Sequence, residues 1–333
     1  MPQELTHEPL RVWPGPPEKP RYAFIGELTG MHNFKIAEGQ EGPQGTEKAL
    51  MWLAGVDPAT GFRRRGIEGV LQRPQTGAVD ELGRIYVTDS SRSAVFLFDS
   101  VKGTLRVWAE AEAGINFSSP VGIVMGKPGE VLVSDSELAL IFRLSREGRP
   151  LGSFGHGILS RPTGMARDPR SGWLFVADTR AHDVKVFDEN GELIKTIGVA
   201  GEEEGEFNAP THMAFFRDKL YVTDTLNARV QIFDQEGRFL KMLGKRGNFV
   251  GNMVRPKGVA ADIDGNIYVV ESLHDHLLVY DANGEFLLPI GGTGKEVGSF
   301  FLPSGVWTDR GKKIYVSDMF NGRVMIFQYL GGG

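Results

Sequence analysis

The chain has 333 residues, 41% hydrophobic and 24% charged, with a formal net charge of −5. That balance is ordinary for a soluble protein and gives no electrostatic reason to expect nucleic acid or an anionic membrane as partner. Cysteine is absent, which excludes disulfides, thiolate catalysis and zinc–thiolate centres.

Residues 1–20, MPQELTHEPLRVWPGPPEKP, lack the apolar core of a signal peptide. Their prolines fix φ and remove backbone donors, which predicts a stiff arm laid on the surface. Residues 21–26, RYAFIG, read as a strand. Residues 27–73 are an insertion. Its EKALMWLAGV stretch gathers Ala49, Leu50, Trp52 and Leu53 on one side of a short helix, and Arg63, Arg64 and Arg65 follow a DPATG turn. No run in the chain approaches the roughly 18 apolar residues of a membrane span.

A repeat begins near residue 74 and restarts near 120, 162, 210, 256 and 303. Each copy opens at a proline (Pro74, Pro120, Pro162, Pro210, Pro256, Pro303), most with a glycine shortly after. A second strand follows, such as LYVTD, ending in an acid. The acids are Asp89, Asp135, Asp178, Asp224, Glu271 and Asp318, spaced by 46, 43, 46, 47 and 47 residues. A third strand such as VQIFD and a fourth after a glycine turn complete the unit, which predicts an all-β six-bladed propeller of four-stranded antiparallel blades. The sixth copy ends at its third strand, before the glycine tail of 330–333. RYAFIG matches the fourth strands LIKTIG and FLKMLG, so the N-terminal strand is expected to close the last blade and remove an exposed edge. Connections between a fourth strand and the next proline are 12 residues long at Gly198–Pro210, Gly244–Pro256 and Gly291–Pro303, against 48 at Gly26–Pro74. The 27–73 insertion is therefore expected at the channel mouth.

The candidate site residues lie near the prolines. Arg73, Arg161 and Arg255 precede three of them, while Lys257 and His212 lie one and two residues after two others. Together they predict positive charge at the channel mouth of an acidic protein, suited to a carboxylate or phosphate. Pairing with Glu68, Glu206 and Glu296 is the competing expectation. His212 also suits a metal ligand or general base, and His274, Asp275 and His276 in the most divergent repeat could add two imidazoles. The recurring acids are expected to accept hydrogen bonds from turn amides, with Arg229 and Arg323 paired locally.

The repeat resembles the NHL-repeat family over about residues 21–329, on Pro210–Asp234 and Pro303–Gln328. Its marks are DTLNARV at Asp224–Val230 and DMFNGRV at Asp318–Val324. The proline segment, the insertion and the PTHMA stretch are similar to uncharacterised bacterial members, which implies a periplasmic or surface location. The family includes an amidating lyase, RNA-binding regulators, kinase sensor domains and many protein-binding modules; metal-dependent lactonases are related propellers. The lyase's zinc histidines directly follow the repeat proline, where this chain has Gln75, Val121, Thr163, Thr211, Lys257 and Ser304.

The sequence is read as a monomeric, non-catalytic binding scaffold without a cofactor. Its top face and the 27–73 insertion would meet a protein partner or an anionic ligand. The alternative is a metal-assisted lyase or hydrolase, lactonase-like, with one divalent cation in the channel held by His212, His274 or His276. RNA binding ranks last, because a pI of about 5.9 lacks the basic footprint.

Overall fold

Short apolar strands punctuated by glycine turns cannot bury both faces alone, so each repeat folds as one sheet and stacks on its neighbours. The computed structural model describes residues 11–36 and 69–331. The helical stretch of the insertion, with Trp52 and Arg63–Arg65, lies outside the described residues.

Six sheets form a closed ring. Blade 4 is representative, with strands Pro210–Phe216, Lys219–Asp224, Arg229–Asp234 and Phe239–Leu243 from channel to rim, all antiparallel. The innermost strands of blades 1, 2, 3 and 5 are Pro74–Val79, Pro120–Met125, Pro162–Arg167 and Pro256–Ala261, and that of blade 6 is Val306–Thr308. Blade 6 takes its fourth strand from the N-terminus: Tyr22–Leu28 pairs antiparallel with Arg323–Tyr329. Val12–Trp13 adds a fifth strand outside it, and the Trp13 ring meets Phe327 edge-on at 5.4 Å. Blade 1 gains a short parallel edge from Lys35–Ile36.

The proline marks a bulge. In blades 1–5 it pairs with the acid of the second strand, and the register then slips by one residue, as between Pro120↔Asp135 and Ile123↔Val133. The bulge turns the innermost strands toward one another where they crowd the axis. A side chain would not fit there: a Cβ on Gly122 would come within 2.3 Å of the Thr163 carbonyl, and one on Gly305 within 2.2 Å of that of Gln75. Gly164 and Gly258 occupy the same position. Blades 1 and 4, opposite each other in the ring, instead carry Thr76 and His212.

Hydroxyls and one amide tie each blade to the next around the axis. Thr88 donates to the Val121 carbonyl (2.6 Å), Ser134 to Thr163, Thr179 to Pro210 (2.7 Å), Thr225 to Pro256 (2.9 Å) and Ser304 to Gln75 (2.7 Å). Between blades 5 and 6 the Gly258 amide donates to the Ser304 carbonyl at 2.8 Å.

The ring of acids serves the loops. Asp89 accepts four backbone N–H bonds, from Gln72, Arg73, Ser91 and Arg92. Asp135, Asp178 and Glu271 accept from the corresponding amides. In blades 4 and 6 the acid also takes the guanidinium of Arg229 or Arg323 at 2.8 Å and the amide of Asn227 or Asn321 at 2.8 Å. On the opposite face a second set of acids caps the turns after the innermost strands. Asp80, Asp262 and Asp309 there also accept the hydroxyls of Tyr86, Tyr268 and Tyr315.

Candidate functional site

In blades 1, 3 and 5 the acid of the second strand fixes the residue before that blade's own proline. The amides of Arg73, Arg161 and Arg255 donate to Asp89, Asp178 and Glu271 at 3.0, 2.8 and 3.0 Å. All three side chains are thereby placed on the rim of one face, and all are exposed. Only Arg161 reaches the channel mouth itself. There it lines a cup of about 290 Å3 with His212, Lys257, Gln75, Val121 and a set of serine and threonine hydroxyls, among them Ser136, Thr163 and Thr211. Among the described residues no carboxylate lines the cup.

Arg73 and Arg255 lie outside this cup. The Arg73 guanidinium rests over the Phe320 ring, 5.1 Å from its centroid. Among the described residues no ion pair holds Arg73 or Arg255. Glu206 accepts the Glu203 amide, and Glu68 lies outside the described residues. The pair at this mouth joins Arg161 to the exposed Glu137 at 3.8 Å, a weak contact in water.

Lys257 enters the cup one residue past Pro256 and is half-buried. No hydrogen bond or ion pair holds its ammonium among the described residues. Burial, and then the Arg255 charge, push its pKa below the ordinary lysine value. A partly desolvated cation without a counterion is poised for an anion.

His212 closes the cup from below. It lies at the bulge position that is glycine in most blades, so its ring projects into the axis. It is also the one residue that lines both the cup and a second cavity of about 420 Å3 beneath it. Both ring nitrogens are buried and have no hydrogen-bond partner among the described residues. Burial, with a smaller contribution from Lys257, holds its pKa down to about 3, so the ring is neutral through the physiological range.

The structure separates the remaining histidines from this place. His274 and His276 line a peripheral pocket of about 230 Å3 with Glu271 and Thr293. Asp275 turns away: its carboxylate accepts the Thr293 hydroxyl and the Leu302 amide, both at 2.7 Å. Convergence of His212 with His274 or His276 therefore does not occur. No group of three His, Asp or Glu side chains is arranged to hold a metal ion among the described residues.

Sequence reading missed the hydroxyls of the cup. Their signal was present in the residue after each acid (Ser90, Ser136, Thr179), which stands beside the polar residue after each proline once the repeats are superposed.

A family model described as a 6-bladed beta-propeller matches residues 258–332. None of the curated proteins matches the sequence significantly. Among solved structures, an auxiliary nutrient binding protein from Bacteroides thetaiotaomicron is 12% identical, with 92% of this chain and 78% of that one covered at a TM-score of 0.62. Virginiamycin B lyase from Staphylococcus aureus is 12% identical over 92% and 99%, at 0.58. A luciferin-regenerating enzyme is 14% identical over 78% and 92%, at 0.59. These likenesses are of fold, shared by binding proteins and enzymes alike. No helix among the described residues is long and apolar enough to cross a membrane. With six blades in one ring and a family match over its C-terminal part, the chain is a six-bladed β-propeller.

Proposed function

We propose that the chain is a binding propeller that captures an anionic group, a carboxylate or phosphate, in the cup at its channel mouth. The observation that carries this reading is the cup itself, with Lys257 and Arg161 present, hydroxyls around them and no acid among the described residues that line it. Lys257 supplies a half-desolvated charge and Arg161 a fork at the rim, and Ser90 and Ser119, which accept from Gln75 and Ser136, each have a hydroxyl proton to offer the ligand's oxygens. The same chemistry serves a free small anion or an acidic side chain presented by a protein partner; the exposed arginines Arg73 and Arg255 extend the positive rim toward the latter.

Calorimetric titration of the full chain at low salt tests this, with citrate and phosphate in one arm and a glutamate-rich peptide in the other. Saturable binding is expected in at least one arm, weakened about tenfold by Lys257→Gln and by Arg161→Gln, as for loss of one charge-assisted bond. Binding that neither substitution weakens, or no binding in either arm, sinks the reading. A preference for the peptide over the small anions would identify a protein partner as the source.

A further inference from the structure

The channel does not end at His212. Beneath it lies the cavity of about 420 Å3, walled by all six innermost strands and reached from the opposite face. Its lining residues are mostly apolar in type, including Ile123, Met125, Met165, Phe215 and Val259, while polar and apolar atoms share its accessible surface about equally. It continues outward into a larger mouth of about 590 Å3 lined by Asp80, Glu81, Asp309 and Arg310. The volume lies in the range of small-molecule sites, which are mostly apolar with a few placed polar groups.

Two polar groups mark its inner end and wall. His212 presents a neutral imidazole with neither nitrogen satisfied by the protein. Trp307, whose ring stacks on Tyr315 with centroids 5.5 Å apart, has a buried indole N–H that is likewise without a partner. Indole can only donate, and neutral imidazole offers one donor and one acceptor. A buried donor left unmade costs about 1–3 kcal/mol, so both groups favour an acceptor that reaches them. Thr76 adds a hydroxyl to the lining, and two further polar side chains are already engaged. Arg167 pairs with Glu189 at 2.6 Å, and the Thr308 hydroxyl donates to the Ala261 carbonyl at 2.9 Å. No free charge faces the interior, so a charged ligand would lose hydration without compensation.

We infer that this lower cavity is a second binding site, separate from the anion cup, for an uncharged and largely apolar small molecule bearing a carbonyl-type acceptor that meets Trp307 or His212. The two ends of the channel thus select opposite chemistries, with His212 as their common wall.

The neutral fluorophore prodan, which carries one ketone on an apolar ring system, is a suitable probe for titration into the full chain. Saturable, blue-shifted emission at one equivalent is expected. Ala214→Trp, which fills the cavity, should abolish binding, and Trp307→Phe, which keeps the stacked ring but removes the N–H, should weaken it about tenfold. Lys257→Gln should leave it unchanged, which separates this site from the cup. Absence of saturable binding overturns the inference, as does binding that both Ala214→Trp and Trp307→Phe leave intact. Should Ala214→Trp fail to fold by circular dichroism, Trp307→Phe alone decides.

Discussion

His212 is a titratable group whose charged form the fold rejects. Its pKa is held down to about 3 in the channel, chiefly by burial, against about 6.5 in an unfolded chain. Between those values the unfolded chain binds a proton that the folded chain does not, so this residue's contribution to stability falls as pH drops from about 7 toward 3. His212→Gln removes that one contribution and leaves those of the carboxylates in place. Relative to the parent, the variant should gain about 2 kcal/mol between pH 7.5 and pH 4.5, visible as a Tm difference that moves in its favour with acid. A difference that stays constant over that range would mean that the imidazole titrates in the folded channel as it does in the unfolded chain. The sequence showed His212 as the imidazole at a glycine position, and the structure places it on the wall of both channel cavities. The sequence could not show that His274 and His276 lie elsewhere, because alternate residues of a loop have no fixed direction until the loop's hydrogen bonds are known. Here those bonds turn Asp275 toward Thr293 and Leu302.

At the level of elements, strands and loops were legible because each repeat prints the same turn chemistry, and the six acids identify the loops they hold. The closing strand was legible from RYAFIG, although the ladder runs on to Leu28. Its removal tests the ring. A chain starting at residue 29 would leave the edge of Arg323–Tyr329 unpaired and expose Tyr22's former neighbours around Phe327 and Ile314. Insoluble protein is expected; a soluble product with one sharp melting transition would mean that the blade does not need this strand. The loops offer a graded comparison. Asp178 holds its loop through the Ser160 and Arg161 amides, whereas Asp224 also neutralises the buried Arg229. Asp224→Ala should cost about 3–5 kcal/mol, since it strands a cation. Asp178→Ala should cost less, and urea midpoints of the two variants measure the difference. Equal midpoints would show that the ion pair adds nothing to the loop.

On the scale of the whole molecule, the period of the repeat announced a ring, but not how the ring's axis is divided. That division depends on which residues of distant repeats meet at the centre, and no pairwise spacing encodes it. Glycine at the bulge lets neighbouring blades approach, and the two exceptions, Thr76 and His212, face each other from blades 1 and 4. One of them became the wall between a polar cup and an apolar cavity. The missed hydroxyls belong to the same scale, since Thr179 and Thr225 reach carbonyls of the following blade rather than their own.

The last blade is built from both ends of the chain, with Glu27 and Arg323, 296 positions apart, joined in one sheet. During synthesis the segment that completes the ring emerges well ahead of its partner. At about 5–20 residues per second it waits roughly 15–60 s on the ribosome. Through that interval the nascent chain carries an orphan strand at its head and a growing stack of blades behind it. Whatever shields that strand in the cell, a chaperone or its own proline-bound arm, sets how much of each new molecule reaches the closed form.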